Sequence, residues 1–405
     1  MKLKTKIAGS LALPLALAVA ANSAQAFTVV DNADQKVTIG GYVSAITTWN
    51  KSGNKTSADN DKFNNSFHAG NSRLNLSYTD KETGTKFFYE QKLAGTLRHM
   101  YFETEDGLIG GQTWSFGTNL VALAETIDTD GNSLVSYQVG GPRNLLLGKK
   151  FKLDEGMSIG LSLEDQNNKS RDYTYYDEVL DDDLTVEVDG ANKSVIPAVT
   201  ANFEGNFGDT KVFAAWTNYA VNVENVSNDK NTKGKDKRAN RLTFGTDIGL
   251  GDANVKLGLT QNFGLKYEGD QVLRTADTAK GTHVSAALGF KVNDKVRTNL
   301  ATEYSKWNKK SITKADSDKA GKAYRVWLNA FYQADNGIEW GAEYQLANIK
   351  AAEVAYAAAE THEGGLGNKG HAIRLQAKYA FKFRLHTSKK PSFRAGFFVP
   401  VMLRI

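Results

Sequence analysis

The sequence predicts an all-β protein: a closed sixteen-strand antiparallel transmembrane β-barrel with its third loop folded into the pore. Three observations carry that expectation. Most segments alternate apolar and polar residues with period two, the pattern of an extended strand with two unlike faces. Beyond residue 26 no run reaches the roughly 18 consecutive apolar residues of a helical span. Short turns also alternate with long polar connections, an asymmetry that a soluble sandwich has no reason to show.

The amino end is read first. Lys2, Lys4 and Lys6 precede an apolar run over 11–20, and Ala24, Gln25 and Ala26 give the small-x-small pattern of a cleaved export signal. The run is shorter than the about 20 residues that cross a bilayer. Residues 1–26 are therefore expected to be a signal peptide, 27–381 the barrel, and 382–405 a basic, disordered extension. The 405-residue chain has no cysteine, which excludes disulfide, thiolate and zinc-thiolate chemistry. Its six histidines are scattered without metal-ligand spacing, so no metal and no cofactor is expected.

The net charge of +5 is misleading. The signal and the extension together hold nine of the 50 basic residues and no acidic one, leaving 41 basic against 45 acidic residues in the body, about −4. The basic balance thus gives no argument for nucleic acid.

The strands follow from alternation. Residues 241–250 place Leu242, Phe244, Ile248 and Leu250 on one face. Over 295–304, Val296, Leu300 and Tyr304 oppose Arg297, Asn299 and Glu303. Over 338–346, Ile338, Trp340, Ala342, Tyr344 and Leu346 oppose Glu339, Glu343 and Gln345. The closing strand, 371–381, sets Ile373, Leu375, Ala377, Tyr379 and Phe381 against Arg374, Gln376 and Lys378. A strand ending in an aromatic such as Phe381 resembles the signal read by the barrel-assembly machinery. Tight turns fall at 80–85, 104–107, 153–156, 205–209, 249–253, 292–295 and 334–337. Longer stretches fall at 50–64, 115–136, 165–193, 223–237, 268–280, 308–321 and 350–370, with a short connection near Ala94 and Gly95. Seven inner turns and eight outer connections make sixteen strands, an even number as bacterial barrels require. Trp49, Tyr78, Trp307, Trp327 and Tyr379 read as interfacial belts, and Trp114 as a packing anchor.

Such a barrel carries a wet lumen, because an extended chain crosses hydrocarbon only when every backbone amide is paired. The connection 115–136 mixes Leu120, Val121, Leu123 and Ile127 with Glu125, Asp128 and Asp130. Folded inward, it would anchor its apolar residues on the wall and present carboxylates to the pore; the competing reading is an exposed loop packed on a neighbouring subunit. Arg73, Arg297, Arg325 and Arg374 sit at inward parity and are candidates for an opposing basic wall. Arg98 is ambiguous, since it shares parity with Met100 and Phe102, which read as lipid-facing. His99 and His283 read as ordinary barrel residues, and Asp181, Asp182 and Asp183 as a solvated acidic loop rather than a cation site.

The stretch 97–116, LRHMYFETEDGLIGGQTWSF, together with SRLNLS at 72–77 and AETID at 124–128, resembles the DcaP-like trimeric porins of Gram-negative bacteria. That resemblance implies a homotrimer in the cell outer membrane, in contact with its lipid and lipopolysaccharide. It also implies a third loop in each pore, an arginine in the pore at position 98, and passage of small anionic solutes such as dicarboxylates. The chain departs from the pattern at YQVGGPR, 137–143, where a more basic stretch is expected, in lacking an N-terminal coiled coil, and in the residues after Phe381. The functional expectation is passive diffusion of small polar solutes. An outer-membrane barrel enzyme and an adhesin or structural barrel are the alternatives, although no Ser, His and acid stand together at matching parity.

Overall fold

The computed structural model describes residues 27–52, 63–70, 72–127, 143–165, 171–177, 182–188, 197–223, 235–263, 281–307, 322–350 and 369–380. The expected signal, Phe381 and the extension after it lie outside these residues. The first half of the sheet comprises β1 (Phe27–Asp31), β2 (Gln35–Ser52), β3 (Phe63–His68), β4 (Arg73–Asp80), β5 (Lys86–Lys92), β6 (Leu97–Glu103), β7 (Leu108–Trp114), β8 (Arg143–Asp154) and β9 (Met157–Asp165). A separate hairpin of β10 (Arg171–Asp177) and β11 (Asp182–Val188) follows. The second half comprises β12 (Ala198–Phe207), β13 (Thr210–Val223), β14 (Lys235–Leu250), β15 (Ala253–Asn262) and β16 (Gly281–Lys291). It ends with β17 (Val296–Trp307), β18 (Lys322–Gln333), β19 (Ile338–Lys350) and β20 (Lys369–Ala380).

Eighteen of these elements form one antiparallel sheet, and β9 paired to β12 and β20 paired to β2 close it. They make sixteen lines rather than eighteen. β3 and β4 lie end to end along one edge of β2, with His68 facing Ile46 and Arg73 facing Tyr42. On the other edge β20 and β1 do the same: Ala380 faces Tyr42, then Phe27 faces Ile39. The amino-terminal strand therefore completes the line that the last strand begins, which removes the free edge of an open sheet.

The break between β3 and β4 is repaired by side chains. Ser44 N–H donates to Ser72 Oγ at 2.8 Å, and Ser72 Oγ donates to Ser44 O at 3.2 Å, so the backbone groups of Ser44 on that edge are satisfied without a strand beside them. Gly41 sits at the same switch with φ of 145°, and a Cβ there would lie 2.2 Å from Arg73 O. Only glycine admits that approach.

The pleat is inverted relative to a soluble protein. Leu328 is 55% exposed and its neighbour Trp327 2%; Tyr344 is 43% exposed and Gln345 0%. Leu145, Leu147, Leu161, Leu163, Leu300 and Ile373 point outward, whereas Glu90, Glu164, Glu339, Glu343 and Gln345 are buried on the inner side. An apolar exterior around a polar interior is the arrangement lipid demands of a barrel. All seven expected tight turns are present, closed by bonds such as Asp80 N to Thr85 O at 2.9 Å and Ala334 N to Ile338 O at 2.9 Å.

One sequence expectation needs correction, and one ambiguity is resolved. Trp327 is not in an interfacial belt; it is buried on the inner face against Ala287, Ala301 and Ala124. Its place near a strand end suggested a rim, but its odd parity on β18 turns it inward with Arg325, Asn329 and Phe331. Arg98 is not lipid-facing. Glu90 pairs with His99 and Gln91 with Leu97, so Arg98 is the extra residue of a β-bulge. A bulge shifts side-chain parity by one, which is how Met100 can be exposed while Arg98 is 3% exposed.

Candidate functional site

The site is built on the inner faces of the strands and on residues 115–127, which follow β7. Phe116 packs with Ile109 and Leu146, and its N–H donates to Glu164 Oε1 at 2.9 Å. Asn119 ties the next turn in two ways: its Nδ2 donates to Phe244 O at 2.9 Å, and its Oδ1 accepts from Ala122 N at 3.1 Å. A Cβ at Gly245 would lie 2.1 Å from that Oδ1, so the wall is glycine where the segment presses on it. Val121 packs with Phe213 and Ala215, and Lys256 Nζ donates to Leu123 O at 3.0 Å. Ile127 packs with Ile46 and Phe331, while its N–H donates to Glu343 Oε2 at 2.8 Å. The apolar residues of the segment therefore meet inward side chains of β2, β13 and β18. Buried mixed-polarity contacts of this kind explain an otherwise odd loop composition.

Glu125 stands in a charge cluster. Arg297 Nη2 contacts its Oε1 at 2.5 Å and Glu339 Oε2 at 2.8 Å, and Lys378 Nζ lies 3.2 Å from Glu339 Oε1. Asn329 Nδ2 donates to Glu125 O at 2.7 Å. Burial pushes the Glu125 carboxyl up, but the hydrogen bond and charge of Arg297 outweigh it and hold the group below the usual carboxylate range. Next to this cluster, Arg374 Nη1 donates to Glu343 Oε1 at 2.8 Å and Gln345 Oε1 at 2.6 Å.

A second cluster lies on β4 to β8. Arg98 Nε donates to Glu90 Oε1 at 2.7 Å, and Arg73 Nη1 reaches the same oxygen at 3.3 Å. Arg143 stacks on Trp114 at 3.9 Å from the ring centroid, and its Nε donates to His99 Nε2 at 3.1 Å. Arginine can only donate, so that His99 nitrogen accepts, and His99 Nδ1 carries the proton toward Thr113 Oγ1 at 3.2 Å. Trp114 is thus a packing anchor for a cation. Tyr42 joins the two clusters, with the Arg73 guanidinium 4.8 Å and Lys378 Nζ 4.9 Å from its ring centroid.

Of the residues singled out from sequence, the structure brings Glu125 to Arg297, and places Arg73 and Arg98 together on Glu90. Arg374 is one strand from Glu339 and shares Glu343 with the segment 115–127. Arg325 is inward but apart, facing Glu303 across the ladder. Asp128 and Asp130 lie outside the described residues. Glu90, Tyr42, Arg143, Glu339, Glu343 and Lys378 were not singled out. Parity alone places the two β19 glutamates and Lys378 inward, but nothing local in the sequence says which arginine each would meet. Among the described residues no group of three or more His, Asp or Glu is placed to hold a metal.

No family model matches the chain, and no curated protein matches it by sequence. Solved structures match its fold. The outer membrane channel DcaP of Acinetobacter baumannii superposes with a TM-score of 0.61 at 17% identity, over 87% of this chain and 99% of that one. An anion-selective porin from Comamonas acidovorans gives 0.57 at 14%, covering 86% of this chain and 100% of that one. Salmonella typhi OmpF gives 0.56 at 12%, covering 88% and 100%. At these identities the likeness speaks for architecture alone, and architecturally the chain is a closed sixteen-strand β-barrel with the porin fold.

Proposed function

We propose that this chain is a homotrimeric outer-membrane porin whose lumen passes small polar solutes by passive diffusion, with residues 115–127 folded inward as the constriction. One observation carries the reading: a segment outside the ladder bonds and packs against β2, β9, β14, β15, β17, β18 and β19, and places a carboxylate on Arg297. The pore-lining set is then Arg73, Arg98, Arg143, Arg297, Arg374 and Lys378 with Glu90, Glu125, Glu339 and Glu343, six cationic groups against four carboxylates. A cationic surplus raises the local concentration of anions, so the preference is for small anions such as dicarboxylates. Asp128 and Asp130 belong to the same proposed loop. Arg325 lines the lumen away from the Glu125 cluster.

The test is conductance of the purified protein in planar bilayers. Stepwise openings in groups of three support the trimeric pore. Silence supports an enzyme or adhesin instead. In a salt gradient, Arg73→Gln and Arg374→Gln should move the reversal potential toward cation preference; no movement from either removes both from the constriction.

A further inference from the structure

The outer face of four neighbouring strands ends in a row of like charges. Lys306 on β17 stands directly opposite Lys322 on β18, and Lys322 stands opposite Lys350 on β19. One rung nearer the middle of the wall, the residues across the strands are Tyr304, Tyr324, Asn348 and Lys369. By strand alternation these positions share the face of Leu300, Leu328, Tyr344 and Ile373, all exposed. Lys306, Tyr304 and Tyr324 are exposed as well. Along that face, from Val296 to Lys306, Lys322 to Tyr332, Ile338 to Lys350 and Lys369 to Tyr379, there is no Asp or Glu.

The height of the row decides what surrounds it. The lower edge of the same face is the rung of Val296, Tyr332 and Trp340, ten residues along β17 from Lys306. At about 3.4 Å per residue and a strand tilt of about 40°, ten residues rise about 26 Å. The apolar band of a bacterial barrel is about 25 Å tall. Tyr332 and Trp340 therefore mark one membrane interface, Tyr304 and Tyr324 approach the other, and the lysines stand at headgroup level. Lys306 and Lys322 flank the long connection 308–321, whereas the tight turns 292–295 and 334–337 lie at the opposite end, so the row belongs to the outer leaflet. Like charges directly opposite one another on neighbouring strands destabilise a sheet, and an anion laid along the row offsets that repulsion.

We propose that Lys306, Lys322 and Lys350, with Lys369 beside them, bind the phosphate groups of outer-leaflet lipopolysaccharide. The acyl chains of that lipid lie on Leu300, Leu328 and Ile373, and its phosphorylated sugars reach the lysine row. Lysine serves phosphate as a point charge, and a run of cations at a membrane surface attracts anionic headgroups. The tyrosines suit the boundary between acyl chain and sugar, because each ring is apolar and carries a polar tip. The site rests on the reading of this chain as an outer-membrane barrel, but not on conduction through its lumen.

Binding is therefore measured without transport, by native mass spectrometry of the detergent-solubilised full-length protein titrated with bisphosphorylated lipid A, monophosphoryl lipid A and phosphatidylethanolamine. Saturable binding of the bisphosphorylated form is expected, with weaker binding of the monophosphoryl form and none of the zwitterionic lipid. Lys306→Gln, Lys322→Gln and Lys350→Gln should each weaken it about fivefold, and all three together about a hundredfold. The single variants keep the test in force should the triple variant fail to fold. Lys291→Gln combined with Lys295→Gln, at the opposite end of β16 and β17, should leave the affinity unchanged. Equal affinity in wild type and the three lysine variants, an equal loss in the Lys291 and Lys295 control, or no saturable binding of lipid A overturns the site. Dissociation of the oligomer by the triple variant with lipid A binding intact would assign the row to a subunit contact and overturn it as well. A silent bilayer with lysine-dependent lipid A binding would instead sink the porin reading and leave the site standing.

Discussion

Glu343 is the tether for the far end of the segment 115–127, and Glu343→Gln tests whether that segment sets the pore. Its Oε2 accepts the Ile127 N–H and its Oε1 accepts Arg374 Nη1, both at 2.8 Å, with the Arg374 and Glu343 side chains 3% and 1% exposed. Glutamine keeps the shape, removes the charge and turns an NH2 toward one of two donors. The Arg374 pair lies within the wall and is the same in both states, so docking loses only the charge-assisted bond to Ile127 N–H, about 1.5–3 kcal/mol. That shifts the equilibrium between docked and released segment by roughly one to two orders of magnitude. The strands keep their own ladder, so the loss should appear as release of the segment rather than unfolding. Single-channel recording in planar bilayers should show larger mean conductance and more open-channel noise, and liposome swelling should admit larger sugars. Conductance, noise and size limit all equal to wild type would refute the tether and with it the constriction.

Three further outcomes follow from other contacts. Glu125 is held ionised below its ordinary value of 4.5, so its pairing with Arg297 is at full strength above pH 4.5 and is lost only as pH falls through the lower folded-state value. Reversal potential should hold steady from pH 7 to that point, whereas Arg297→Gln should shift it toward cations throughout; an early drift between pH 7 and 5 in wild type contradicts the pairing. Gly245→Ala drives a methyl against Asn119 Oδ1 and displaces its amide from Phe244 O, about 1 kcal/mol of local loss. More channel noise with unchanged ion preference is expected there, and a quiet channel counts against the contact. Because β1 takes the edge of β2 that β20 leaves at Ala380, deleting 382–405 should leave heat-modifiable barrel formation intact on gels; failure to assemble would show that the extension is required.

The strands were legible because a chain between lipid and water must alternate, and alternation is local. Leu300 beside Asn299, or Trp340 beside Glu339, declares its face without reference to any other strand. The same reasoning placed Arg73, Arg297, Arg325 and Arg374 inward. It left Arg98 ambiguous, because a bulge is a mismatch between two strands and neither strand's pattern contains it. It failed at Trp327 because a wall covered by another segment tolerates an apolar side chain that an open lumen would not, and that cover comes from Ala124, some two hundred residues earlier.

What the sequence determined by itself is the repeating response of each residue to its solvent: strand count, turn positions and the facing of most side chains. What only the tertiary structure decided is who meets whom. Glu125 finds Arg297 across 172 positions and Ile127 finds Glu343 across 216, and β1 finds the line of β20 at the opposite end of the chain. Solvent acts on each residue where it stands, whereas a partner is chosen by closure of the whole sheet.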